Sequence, residues 1–100
     1  MEHIIIISKL KPEALSLVTQ MAERGCVPQV ILLSEAVYLL TRQGEHLDEV
    51  NKAIKFGATF FAPSEEISKR GIEILEDVIQ INYSTLVDLL LEKPERIINL

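Results

Sequence analysis

The chain has one thiol, Cys26, and two imidazoles, His3 and His46. A cysteine does chemistry as its thiolate, which forms beside a cation, a metal or the amino end of a helix. Cys26 follows Gly25, the stop signal of a helix, and precedes an apolar strand, so it stands at that strand's amino end. The preceding helix turns its negative end toward Cys26 and gives a thiolate no help. A small buried hydrophobe is the reading these neighbours favour, with a catalytic Cys26 as the competing one. A single cysteine excludes an internal disulfide and a cysteine-rich zinc site. His3 opens a strand, His46 falls in a polar turn, and neither has partners at a metal-ligand spacing. No metal site is expected.

The carboxylates and hydroxyls need the same weighing. Glu35, Glu65 and Glu66 each follow a strand, the place where open α/β sheets bind ligands, and a desolvated carboxylate there could move a proton. All three also sit in a first helical turn, where the dipole favours an acid. Ser34 and Ser64 read as helix caps, since no histidine lies in a comparable loop to activate a nucleophile. Neither GxGxxG nor GxxxxGK[ST] occurs, so no phosphate-cradling loop and no cofactor is expected.

The elements that must position these residues follow from the apolar pattern. His3–Ser8 contains four consecutive isoleucines, apolar on both faces as a central parallel strand requires. Pro12–Arg24 places Ala14, Leu15, Leu17, Val18, Met21 and Ala22 on one helical arc, with Thr19 among the outward residues, and Gly25 closes it. Gln29–Leu33 is a second strand. Ser34 then caps a short helix through Ala36–Thr41, and a second short helix runs about Leu47–Lys55. Ala58–Ala62 is the third strand; Pro63 and Ser64 open a helix that runs to Arg70 and is closed by Gly71; Asp77–Ile81 is the fourth strand, Ser84–Lys93 the last helix, and Arg96–Ile98 a terminal strand. This alternation predicts a single α/β domain over 1–100: a three-layer α/β/α sandwich with a mostly parallel five-stranded sheet.

Composition bounds the partners. Hydrophobic residues make up 48% of the 100 residues and aromatics only 5%, so the core is aliphatic, as suits a covered parallel sheet. A net charge of −5 argues against a surface that grips nucleic-acid phosphates directly. No apolar run approaches the roughly 18 residues of a membrane span. No secretory leader is recognisable at the start, which makes the cytoplasm the default expectation. Two apolar sets exceed what one domain needs: Val37, Tyr38, Leu39 and Leu40, and the broad apolar arc of the last helix, including Leu86 and Leu90. They predict an interface and therefore a homo- or hetero-oligomer.

Three segments carry a family resemblance: VILLSEAVYLL, FFAPSEEISKRGI and INYSTLVDLLLEKPERIINL. In that order and spacing, across Gln29–Leu100, they resemble the DsrH/TusB proteins of the DsrE/DsrF/DsrH-like superfamily. The resemblance implies a small DsrEFH-like fold and association with DsrE- and DsrF-like subunits (TusD- and TusC-like in the other naming). Those assemblies pass persulfide sulfur between cysteines, toward 2-thiouridine at the tRNA wobble position or within dissimilatory sulfur metabolism. The active DsrE-type cysteine follows the third strand; the matching Ala62–Ser64 has none. The cysteine that some DsrH proteins carry near the first helix is also missing from Leu10–Val18, and Cys26 matches neither position. The family's Gln-Asp-Gly turn is Ser34-Glu35-Ala36 here. The resemblance thus implies a non-catalytic subunit that holds partner chains. The alternatives are a sulfurtransferase using Cys26 as persulfide carrier, or a self-associating domain that binds a small ligand.

Overall fold

The computed structural model describes residues 2–42, 44–92 and 96–100. Strands β1 (Glu2–Ile7), β2 (Val27–Leu32), β3 (Thr59–Pro63), β4 (Ile79–Ile81) and β5 (Ile97–Asn99) form one sheet in the order β4-β3-β2-β1-β5. Every strand pairing in it is parallel, where the sequence predicts a mostly parallel sheet. Helices α1 (Glu13–Glu23), α2 (Leu47–Lys55), α3 (Ser64–Arg70) and α4 (Tyr83–Glu92) fill the connections, with a 3₁₀ helix, Ser34–Leu40, after β2. The expected end of the last helix, Lys93, lies outside the described residues.

The path explains the layers. From β1 to β4 the chain steps one way across the sheet, and from β4 to β5 it crosses back to the far side of β1. Crossovers between parallel strands are right-handed, so reversing direction puts the last helix on the opposite face. The two cores match this. Ile5, Ile7, Val30, Leu32, Phe60 and Ala62 pack with Leu15 and Val18 of α1, Val37 and Leu40 of the 3₁₀ helix, Val50 of α2 and Ile67 of α3. On the other face Ile4 and Ile31 pack with Leu86 of α4, flanked by Leu89 and Leu90 and by Ile6, Phe61 and Ile97 of the sheet.

Local chemistry sets the element ends. The left-handed conformation after α1 falls on Gly25 (φ 85°), whose N–H donates to the Ala22 carbonyl, while the Cys26 N–H donates to that of Met21. Both bonds satisfy carbonyls that the helix end would leave bare. Within α1, Thr19 is buried and Leu17 is exposed, the reverse of the sequence expectation. The Thr19 hydroxyl is accommodated because it donates to the Leu15 carbonyl at 2.9 Å.

The caps differ from expectation. Neither Ser34 nor Ser64 caps its helix: the 3₁₀ helix and α3 have no side-chain cap bond, and Ser34 is the first residue of its helix, at φ 51°. The Ser64 hydroxyl lies 3.3 Å from Glu65 Oε1. The side chain that does cap is Asn82, whose Oδ1 accepts the Thr85 N–H at 2.8 Å before α4. The fourth strand is shorter than predicted because Asp77 and Val78 belong to the turn that leads into it.

The residues that carry each core set the stability scale. Truncating Phe60, fully buried at the meeting of sheet and helices, should cost about 3–5 kcal/mol. Leu91→Ala, on a side chain 72% exposed, should stay within about 0.5 kcal/mol of the parent. Urea unfolding of the two variants beside the parent protein measures both.

Candidate functional site

The carboxyl ends of β1 to β4 converge on one rim of the sheet, where the polar side chains gather. After β1, the Leu10 N–H donates to Glu35 Oε1 at 3.2 Å, so the acid of the β2 loop ties down the β1 loop. Glu35 is thereby a structural acceptor for the backbone of the β1 loop.

A second cluster links three helices. Glu66, the second acid of α3, is buried. Its Oε1 accepts from Arg70 Nε at 2.5 Å and its Oε2 accepts from the Tyr83 hydroxyl at 3.0 Å. The Arg70 guanidinium lies over the ring of Tyr38 from the 3₁₀ helix, 5.2 Å from its centre, a cation–π contact. Glu65 accepts the Tyr83 N–H with both carboxylate oxygens, each at 3.2 Å, and so occupies the positive end of α4. The result is a clasp: α3 holds the start of α4 through two glutamates and the 3₁₀ helix through one arginine.

The electrostatics agree with that reading. The Arg70 hydrogen bond, and after it that of the Tyr83 hydroxyl, hold the Glu66 carboxyl below its ordinary value. Glu65 is lowered first by its own backbone N–H and then by that of Tyr83. Burial, followed by the hydrogen bond to Glu66, pushes the Tyr83 hydroxyl up. The hydrogen bonds of the clasp position α3, α4 and the 3₁₀ helix relative to one another.

The other predicted residues fall elsewhere. Val37, Leu39 and Leu40 are buried under the sheet and Leu86 is buried against the opposite face, so the fold itself consumes four of the six predicted interface residues. The reason is tertiary: helices α2 and α3 contact the 3₁₀ helix and help to bury the run. Leu90 is half-buried, and Tyr38 remains 40% exposed beneath Arg70.

Cys26 stands at the opposite, amino rim, and is half-buried rather than fully buried because it belongs to the turn before β2. His3 lies at the same rim, in register with Pro28, and its Nδ1 is buried without a hydrogen-bond partner. His46 stands just before α2 and its side chain makes no cap there. Among the described residues no group of three or more His, Cys, Asp or Glu side chains is placed to hold a metal ion. Among them, too, no helix is long and apolar enough to cross a membrane.

Glu66→Gln should lower stability near neutral pH and remove part of its acid dependence. The sign follows from linkage: a carboxyl lowered in the folded state stabilises above its unfolded value, and that contribution disappears as pH falls through the folded one. Urea midpoints between about pH 3 and 7 should therefore fall less steeply toward acid in the variant than in the parent. Equal slopes would show that Glu66 contributes no such stabilisation.

The fold itself has solved relatives. The chain resembles a Methanobacterium thermoautotrophicum protein of unknown function, MTH1491, with a TM-score of 0.80 and 16% identity over 99% of this chain and 98% of that one. It also resembles a conserved Bacteroides thetaiotaomicron protein of unknown function, BT1422, with a TM-score of 0.75 and 13% identity over 98% and 95% of the two chains. At these identities the likeness concerns the fold alone. No curated protein matches the sequence. A family model described as DsrH like protein matches residues 8–95, spanning the chain from the end of β1 to the start of β5, and the chain belongs to that DsrH-like family.

Proposed function

We propose that this chain is a non-catalytic subunit of a sulfur-relay assembly of the TusBCD/DsrEFH kind, working by holding DsrE- and DsrF-like chains that carry the reactive cysteines. Membership of the DsrH-like family supports a role related to sulfur relay. The observation that carries the finer reading is the carboxyl rim at the end of β3. There Ala62 and Pro63 are buried, Ser64 follows, and the next two residues are the clasp glutamates. Active DsrE-type relatives place their cysteine at this position. A transfer site needs an accessible thiolate that can take sulfane sulfur and release it to another thiol. Glutamates that pin α4 in place serve assembly instead. Persulfide relay toward tRNA wobble-uridine 2-thiolation and relay within sulfur oxidation are both compatible with such a subunit, and cytoplasmic residence follows from either.

Co-expression with DsrE- and DsrF-like chains encoded in the same genome should yield a complex that survives size-exclusion chromatography. A chain that stays apart from all of them would sink the proposal.

One observation favours a second reading, in which Cys26 itself carries persulfide: its side chain is half-buried and so partly open to solvent. Incubation with a persulfide donor followed by mass spectrometry separates the two. The subunit reading expects unmodified Cys26 under conditions that load a DsrE-like partner, whereas a stable mass gain of one sulfur on Cys26 establishes the carrier.

A further inference from the structure

Among the described residues helix α4 is the one helix on its face of the sheet, and it covers that face with only part of its apolar surface. Leu86 is buried over Ile4 and Ile31, with Leu89 and Leu90 half-buried beside it. Tyr83, Val87 and Leu91, spaced four apart and therefore in one line along the helix, are 41%, 48% and 72% exposed. Immediately beside that line runs a second one of Ser84, Asp88 and Glu92, all exposed. Within Tyr83–Glu92 there is no lysine, arginine or histidine. The helix thus presents an apolar ridge with an acidic margin along one side.

From this we infer that the outer ridge of α4 is a docking surface for another protein whose contact element is an apolar ridge bordered by lysines or arginines. The margin argues against a second copy as the occupant. Two facing copies related by a twofold axis and running antiparallel, with Val87 against Val87, carry both acidic lines on the same side of the seam and bring Asp88 against its own counterpart. Running parallel, the copies put the acids on opposite sides, where neither meets a base from α4. Each copy also carries a net charge of −5. Like charges along a seam oppose association, whereas opposite charges steer and orient it. A basic partner margin satisfies Asp88 and Glu92 and sets the direction in which the partner lies.

The inference rests on the subunit reading only in that the chain acts through protein contact, and its test does not use the proposed subunits. Two synthetic helical peptides of about 20 residues, long enough to hold helix in part, share one leucine ridge. One has lysines along a single side of the ridge and the other glutamates. Each is titrated into the isotope-labelled full chain and followed by amide chemical shifts. The lysine peptide should shift residues 83–92 selectively, and the glutamate peptide should leave them in place. The double variant Val87→Ser, Leu91→Ser should weaken binding about tenfold or more, as expected when interface anchors are truncated. The double variant Asp88→Asn, Glu92→Gln should weaken it and flatten its salt dependence. Because these side chains are exposed, the variants keep the parent's spectrum away from α4.

Four results would overturn the inference. They are no binding of the lysine peptide, equal binding of both peptides, shifts scattered over the acidic surface and indifferent to Val87 and Leu91, or concentration-dependent dimerisation of the parent that Leu91→Ser abolishes. The last result would make a second copy the occupant. Failure of co-purification with relay subunits while the lysine peptide binds as expected would reject the subunit reading and leave the surface standing.

Discussion

The structure depends on a strand that has to be covered twice. Ile4 and Ile6 point to one face of the sheet and Ile5 and Ile7 to the other, and three of the four are buried. A parallel strand of this kind is stable only with helices on both faces, since each face left open exposes a row of aliphatic side chains to water. Right-handed crossovers taken in one direction cover only one face. The chain therefore has to reverse once, and it does so between β4 and β5, which leaves β1 flanked on both sides and gives the second face to α4. That burden accounts for the unusually broad apolar arc of this helix. One part of the arc seals Ile4 and Ile31, and the remainder stays at the surface.

A reversal of this kind needs an anchor, because α4 must leave β4 and cross back over the sheet. The clasp supplies it at the point of departure. Glu65 holds the first N–H of α4 and Glu66 holds the Tyr83 hydroxyl, while Arg70 braces Glu66 and rests on Tyr38. Asn82 caps the same helix from inside the turn. The charges of the clasp thus fix how α3, α4 and the 3₁₀ helix meet. Where the resemblance to DsrE-type proteins implies a sulfur-docking cysteine, this chain carries the clasp glutamates.

Parts of this architecture are legible in the amino-acid sequence. The run of isoleucines, the helical period of Ala14–Ala22 with Gly25 after it, and the alternation of strands and helices prescribe the parallel sheet, because they rest on local pattern. The Glu66–Arg70 pair is also legible in principle, as acid and base four apart on a helix. Other features depend on partners remote in sequence. Tyr83 is 17 residues from Glu66, and nothing in the spacing announces their bond. The run Val37–Leu40 looks like surplus apolar surface until helices α2 and α3 are laid against it, after which only Tyr38 is left outside. Ser34 and Ser64 have the residue type of a cap without its geometry, since each begins its helix instead of preceding it.

The position of the lone thiol separates two kinds of sulfur chemistry. Cys26 precedes the first residue of β2, whereas the docking position that the resemblance to DsrE-type proteins implies follows the last residue of β3, which pairs with β2 in the same direction. The two ends are therefore about one strand apart, roughly 20 Å for six residues at 3.3 Å each. Sulfur passes between cysteines by direct attack of one sulfur on another. A partner thiol seated at the carboxyl rim is therefore out of direct reach of Cys26 in this fold. Any sulfur borne by Cys26 would require a partner approaching the amino rim, through a contact different from that of the DsrE-type relay. The carboxyl rim and the amino rim are thus alternatives, and the acids at the first are already occupied in holding the fold together.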